Sequence, residues 1–179
     1  MDRFYLETRA ELAGNTLKGY AAVFDGTATI GGGYERIAPN AFDNALENAD
    51  PRALINHDPS LVLGRRSAGT LRLDTDSRGL RFEVDLPDTT YARDLRELVE
   101  RGDLAGASFG FIPGEDEITR APDGKQVRTH TAIRDLVDVS AVTYPAYEGT
   151  SLALRHIDFA RVTRPRLRAI RIRAAHLKG

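Results

Sequence analysis

Three polar residues stand where their side chains could do chemistry: His57, Ser108 and Asp138. A hydroxyl, an imidazole and a carboxylate are the groups of a Ser/His/acid hydrolase, in which the imidazole removes the serine proton and the carboxylate orients the imidazole. Their chain order, His then Ser then Asp, differs from the orders of the familiar hydrolase folds. The residue types suggest Ser108 as nucleophile, His57 as general base and Asp138 as the orienting acid.

Asp138 is the most informative of the three. It lies within the stretch LVDVSAV, residues 136–142, whose apolar character is typical of a buried strand. Burying a carboxylate without a partner costs several kcal/mol, so a cationic or donor group must face it. A histidine would serve, and so would an arginine such as Arg134.

His57 and Ser108 lie in weaker but compatible contexts. His57 follows a strand pattern, at an edge where functional residues are common, although a histidine there also suits a solvent-exposed structural role. Ser108 shares a strand face with Gly110, which leaves room for a substrate backbone, while Phe109 and Phe111 point to the core. A serine merely tolerated in a strand is the alternative.

The elements that must position these residues are mostly strands. The sequence pattern predicts strands over residues 4–12, 17–24, 52–57, 69–73, 80–86, 107–112 and 133–143. Residues 115–120 and 125–131 form two polar arms on either side of a turn at residues 122–124. We expect helices over residues 39–48 and 89–101, the second with Asp88 as N-cap and Gly102 after its end. The glycine-rich residues 26–33 and residues 58–60 are expected to be loops. Many strands with two helices predict a mainly β, α+β fold: a closed or strongly curved antiparallel β-barrel with surrounding helices.

Length and composition exclude several classes of protein. The 179 residues suit one compact domain, or one domain with a tail. The absence of Cys excludes disulfides, a thiolate nucleophile and a Cys-based metal site. No apolar run approaches the roughly 20 residues of a membrane span, and the charged, alternating N-terminus does not look like a secretory signal. We expect a soluble protein of a reducing compartment.

Charge is distributed unevenly along the chain. Residues 155–179 contain eight basic residues against Asp158, a charge of +7, so residues 1–154 carry −8 of the total of −1. The basic residues are Arg155, Arg161, Arg164, Arg166, Arg168, Arg171, Arg173 and Lys178. Such an extension either contacts an acidic partner or forms a solvated terminal helix.

Several stretches together resemble one protein family. They are GYAAVF (residues 19–24), NHD (56–58), LG (63–64), GLRFEVDLPDTTYARD (79–94), SFGF (108–111) and LVDVSAVTYPAY (136–147). In this order they resemble the prohead proteases of tailed phages, capsid-maturation serine proteases related to herpesvirus assemblin. The resemblance covers roughly residues 3–155 and leaves the basic extension outside. We therefore divide the chain into a protease domain, residues 1–154, and an extension, residues 155–179.

The resemblance implies an assemblin-like barrel with Ser108 as nucleophile and His57 as base. The third member in the family is usually a glutamate, at the position that Asp138 occupies here. Assemblin relatives use a second histidine instead. His130, His156 and His176 lie in no matching motif, so Asp138 is preferred.

The implied function is that of a prohead maturation serine endopeptidase. Its substrates would be the scaffolding protein, or the scaffolding segment of the major capsid protein, and the protease itself, inside the assembling prohead in the host cytoplasm. The capsid shell is then a partner, and a homo-oligomer is left open. No cofactor, metal, membrane or nucleic acid is expected.

A non-catalytic β-barrel module, associated with the capsid or binding nucleic acid, is the alternative. Nucleic-acid binding would account for the basic extension. It leaves Asp138 unexplained, the body is acidic, and the 7% of aromatic residues are not interleaved with arginines in the strands.

Overall fold

The computed structural model describes residues 10–13, 15–24 and 26–144, and these form twelve strands and two helices. The strands are β1 (Ala10–Ala13), β2 (Thr16–Val23), β3 (Ala28–Ile30), β4 (Gly33–Ile37), β5 (Arg52–Ile55), β6 (Asp58–Arg65), β7 (Leu71–Thr75), β8 (Gly79–Asp85), β9 (Gly106–Pro113), β10 (Asp116–Arg120), β11 (Gln126–His130) and β12 (Ile133–Val142). The helices are α1 (Asp43–Asn48) and α2 (Thr90–Arg101). The strands expected between residues 17 and 143 are confirmed, with ends shifted by at most two residues, and the two polar arms form β10 and β11. The basic extension and residues 4–9 of the first predicted strand lie outside the described residues.

The sheet that positions His57, Ser108 and Asp138 has the strand order β6-β5-β12-β9. β5 runs parallel to β12, whereas β6 and β9 are antiparallel to their neighbours. Val139 pairs in register with Ala53 on one side and Phe109 on the other, and all three lie in the hydrophobic core. Because side chains alternate along a strand, the residues next to them face the opposite side of the sheet.

Two further sheets complete the described fold. The first, β1-β2-β8-β7, is antiparallel throughout and buries the predicted apolar face of the β7–β8 hairpin, including Leu71, Leu80, Phe82 and Val84. The second has the order β10-β11-β4-β3, with β4 parallel to β11. The N-cap residue of α1, Phe42, packs on the site sheet: the ring centroids of Phe42 and Phe109 are 5.5 Å apart.

The predicted closed or strongly curved barrel is wrong. Across the described ranges, the strands form three open four-stranded sheets, each ending in two edge strands. β2 and β9 contact each other, but no ladder of backbone hydrogen bonds joins them. Alternation reports which face of a strand is buried and says nothing about which edges pair, so a strand-rich sequence suits open sheets as well as a barrel.

Two segments expected to be loops contain strands. In residues 26–33, β3 and β4 form a hairpin whose turn residues, Gly31 and Gly32, have φ angles of 57° and 84°. Positive φ at both turn positions is what a two-residue hairpin needs, and glycine adopts it without steric cost. Residues 58–60, the second expected loop, begin β6.

The helix starts also differ from those expected. α1 begins at Asp43 rather than at Pro39, since Asn40 has a left-handed φ of 68° that cannot continue a helix. α2 is capped by Thr89 rather than Asp88: the Thr89 side chain accepts a hydrogen bond from the amide of Ala92. Its predicted end is confirmed, with Gly102 left-handed at φ 79°. In the part of the chain that is described, neither helix has the length and apolar character to cross a membrane.

Candidate active site

His57 lies in a two-residue turn that connects β5 to β6. The flanking residues, Ile55 and Asp58, pair with each other, and both turn residues have positive φ, 51° for Asn56 and 58° for His57. Only a minority of non-glycine residues adopt such angles, so surrounding contacts must hold the turn.

Contacts with β12 and the residue after it hold this turn in place. The backbone amide of Asn56 donates to the carbonyl of Ala141, at 2.9 Å. The side-chain Oδ1 of Asn56 accepts from the amide of Thr143, at 3.0 Å, and from its hydroxyl, at 3.4 Å. Because β5 and β12 are parallel neighbours, the turn at the end of β5 lies beside the end of β12. The His57 side chain is thereby directed to β12.

The partner of Asp138 is His57. Nδ1 of His57 lies 2.7 Å from Oδ1 of Asp138. The Asp138 side chain is 2% exposed and that of His57 is 23% exposed, so the pair runs from the interior towards the surface. Among the described residues, Asp138 makes its ion pair with His57 and its hydrogen bonds with His57 and Ser140, and Arg134 is not one of its partners. An ionised Asp138 requires the ring proton on Nδ1, which leaves Nε2 as the basic atom.

Ser108 lies on the strand beside Asp138, on the same face of the sheet. Ser108 in β9 pairs in register with Ser140 in β12, and Gly110 pairs with Asp138. Directly opposed residues of an antiparallel pair have Cβ atoms roughly 4.5–5.5 Å apart and project to one face. Ser108 is 9% exposed. No hydrogen bond between its hydroxyl and the His57 ring is present among the described residues, and such bonds are often loose in enzymes without substrate.

Ser140 also belongs to this site, although no supporting role was predicted for it from the sequence. Its hydroxyl donates to Oδ1 of Asp138, at 2.6 Å, and accepts from the backbone amide of His57, at 3.2 Å. The signal in the sequence is its position: a serine two residues after a buried aspartate in a strand must share the face of that aspartate. Asn56 was likewise unassigned, and its signal is its place directly before His57.

His130, considered above as an alternative third member, belongs to a separate cluster. Its ring is fully buried, with Nδ1 2.6 Å from Oδ1 of Asp116 and Nε2 3.2 Å from Oε2 of Glu35. Burial lowers the pKa of His130, but the two carboxylates outweigh that effect, and the net result is a raised pKa. Both ring nitrogens are occupied within this cluster. His156 and His176 lie outside the described residues.

The arrangement can support nucleophilic catalysis. It has a carboxylate bound to one nitrogen of an imidazole, a second ring nitrogen free to take a proton, and a serine on the neighbouring strand of the same sheet face. These are the three parts of a Ser/His/acid site: Asp138 lies on a central strand, Ser108 on an edge strand, and His57 in the turn that follows a second central strand.

Comparison with known proteins agrees with this chemistry. Residues 4–165 match the family described as caudovirus prohead serine protease. The prohead protease of Enterobacteria phage HK97 is 32% identical to this chain over 146 residues. The alignment covers 79% of this chain and 60% of the HK97 protein, so the chain spans about 60% of that relative's length. No solved structure matches the chain. Since the match takes in most of the chain, including His57, Ser108 and Asp138, this protein belongs to the caudovirus prohead serine protease family.

Proposed function

We propose that this chain is a serine endopeptidase of capsid maturation, with Ser108 as nucleophile, His57 as general base and Asp138 as the acid that orients His57. The observation that carries the proposal is the 2.7 Å contact between His57 and Asp138, on the sheet face where Ser108 also lies. Family membership supplies the reaction class.

The first half of the reaction forms an acyl-enzyme. Nε2 of His57 takes the proton of the Ser108 hydroxyl as Oγ attacks the scissile carbonyl carbon. The imidazolium that forms is stabilised by the ionised Asp138 at Nδ1, and it then gives the proton to the leaving amine. The peptide C–N bond breaks, and the carbonyl stays bound to Oγ as an ester.

The second half returns the enzyme to its starting state. His57 removes a proton from a water molecule, which attacks the ester and releases a new carboxyl terminus, while Ser108 recovers its proton. Asp138 remains ionised throughout. Its low exposure strengthens the attraction to the imidazolium, because little water screens the pair.

The proposed substrates are the scaffolding protein, or the scaffolding segment of the major capsid protein, and the protease chain itself. The name of the HK97 relative supports action in a prohead. Cleavage would therefore take place in the host cytoplasm, inside the assembling shell, with the shell as partner.

Labelling with a fluorophosphonate probe tests the nucleophile. We expect the full chain to be labelled on Ser108 and the folded Ser108→Ala variant to be unlabelled and inactive on scaffold-bearing capsid protein, a loss of several orders of magnitude. Ser60 is an exposed serine on β6, and Ser60→Ala is the matched control, which should still be labelled on Ser108. Scaffold cleavage by a folded Ser108→Ala protein would move the nucleophile elsewhere, and a folded wild-type chain without label or cleavage would favour the non-catalytic capsid-associated alternative.

A further inference from the structure

We propose that Ser140 is a positioning residue that joins the backbone of the base to the side chain of the acid. This inference rests on the proposed function, in which His57 is the base and Asp138 the acid. It gives Ser140 a role distinct from that of the nucleophile, Ser108.

The Ser140 hydroxyl is used in both directions. As a donor it lies 2.6 Å from Oδ1 of Asp138, and as an acceptor it lies 3.2 Å from the amide nitrogen of His57. A hydroxyl has a single proton, so Ser140 cannot give that proton to the His57 ring while it donates to Asp138. The bond to a carboxylate holds the proton on Ser140, which opposes its activation as a nucleophile.

Asp138 depends on this bond because its other oxygen has none. Oδ2 of Asp138 is buried without a hydrogen-bond partner among the described residues, whereas Oδ1 faces both Nδ1 of His57 and the Ser140 hydroxyl. A buried carboxylate with few donors is costly, and one of its two donors is Ser140. Loss of the Ser140 hydroxyl would leave the carboxylate free to rotate about its single remaining bond to His57.

The same hydroxyl also limits movement of the left-handed turn. The first residue of the turn, Asn56, already donates its amide hydrogen to Ala141. The bond from the His57 amide to Ser140 therefore fixes the turn at its second residue as well. Ser140 is 1% exposed and pairs with Leu54 and Ser108, so its own position is set by the central strand. The base, the acid and the nucleophile are therefore all held in position relative to one rigid residue, Ser140.

The test compares Ser140→Ala and Ser140→Thr with Ser60→Ala. Ser60 donates to Oδ1 of Asp58 at the same 2.6 Å and with the same two-residue spacing, but on the surface. We expect Ser140→Ala to lower kcat by about 10- to 100-fold, the range for loss of a hydrogen bond to a charged group, with little change in KM. Ser140→Thr keeps the hydroxyl and should recover most of kcat, and Ser60→Ala should equal the wild type. If Ser140→Thr does not fold, Ser140→Cys, a weaker donor of similar size, should fall between Ala and wild type.

Two readouts separate positioning from other roles. Ser140→Ala should still be labelled on Ser108 by the fluorophosphonate, at a reduced rate. Labelling lost in Ser140→Ala but kept in Ser108→Ala would make Ser140 the nucleophile and overturn the proposal, as would an unchanged kcat in Ser140→Ala.

The second readout does not depend on activity. In the Ser108→Ala background, the proton resonance of His57 Nδ1 reports its bond to Asp138, and adding Ser140→Ala should shift or broaden that resonance. An unmoved resonance would contradict the positioning role even if the protein proved to have no protease activity. If the resonance moves but the chain has no protease activity, the positioning role of Ser140 between His57 and Asp138 is supported, and only the proposed function is rejected.

Discussion

Nδ1 of His57 and Oδ1 of Asp138 are 2.7 Å apart although 81 residues separate them in the chain. The contact arises because β5 and β12 are parallel neighbours and because the left-handed turn after β5 brings His57 to β12. The resemblance implies a glutamate at this position. The shorter aspartate nevertheless reaches the imidazole here, so the substitution is compatible with the role proposed for it.

Asp138→Asn should keep the fold and lose most of the activity. The asparagine amide can donate to Nδ1, which places the ring proton on Nε2 and removes the base, and such a change lowers kcat by about 10⁴-fold in a well-studied serine protease. Asp138→Glu should retain substantial activity, since the resemblance places glutamate there. Scaffold cleavage and circular dichroism of both variants check this, and near-wild-type cleavage by Asp138→Asn would remove Asp138 from the mechanism.

Asn56→Gly should reduce activity more than stability. Glycine tolerates the φ of 51° but loses the side-chain bonds to Thr143, so the turn that carries His57 becomes less restrained. We expect a several-fold lower kcat with a melting temperature near that of the wild type. Asn40→Gly is the matched control, because Asn40 is also left-handed, at φ 68°, and lies before α1. Equal kcat in the two variants and the wild type would show that the Asn56 side chain has no part in placing His57.

Folding stability should fall as the pH rises through the pKa of His130. That pKa is raised in the folded state, because the bonds to Glu35 and Asp116 outweigh the effect of burial. The charged form therefore stabilises the fold fully below the unfolded value of about 6.5, and this contribution is lost above the higher folded value. Urea unfolding at about pH 6 and about pH 9 should show the loss, and His130→Gln should make the two values more alike. A free energy of unfolding for the wild type that rises over this interval would contradict the prediction.

Removal of the basic extension should separate targeting from chemistry. A chain ending at Leu154 should still react with the fluorophosphonate at Ser108, because the extension carries none of the proposed site residues. It should enter immature shells poorly if the +7 charge of residues 155–179 docks onto acidic scaffold, an interaction that added salt weakens. Since the family match runs to residue 165, a chain ending at Pro165 provides the intermediate length. Unfolding of the chain ending at Leu154 would show that residues beyond it belong to the protease fold, and the docking hypothesis would fail.

The amino-acid sequence by itself determined the local features of this protein. Alternation with period two predicts β7, β8, β9 and β12 and separates Ser108 from Phe109, because side-chain direction in a strand depends only on neighbouring residues. A carboxylate within an apolar strand likewise predicts that Asp138 has a polar partner, because the cost of burying a charge does not depend on the fold. The roles of Ser108, His57 and Asp138 in catalysis stay predictions.

Only the tertiary structure decided which groups meet. It chose His57 over Arg134 for Asp138, bound the amide of His57 to Ser140, and placed His130 between Glu35 and Asp116. It also left the sheets open, against the barrel that the strand count suggested. The physical reason is the same in each case. These contacts join residues that are 14 to 95 positions apart in the chain, so they depend on which strand edges and turns come together. Local periodicity carries no information about that choice.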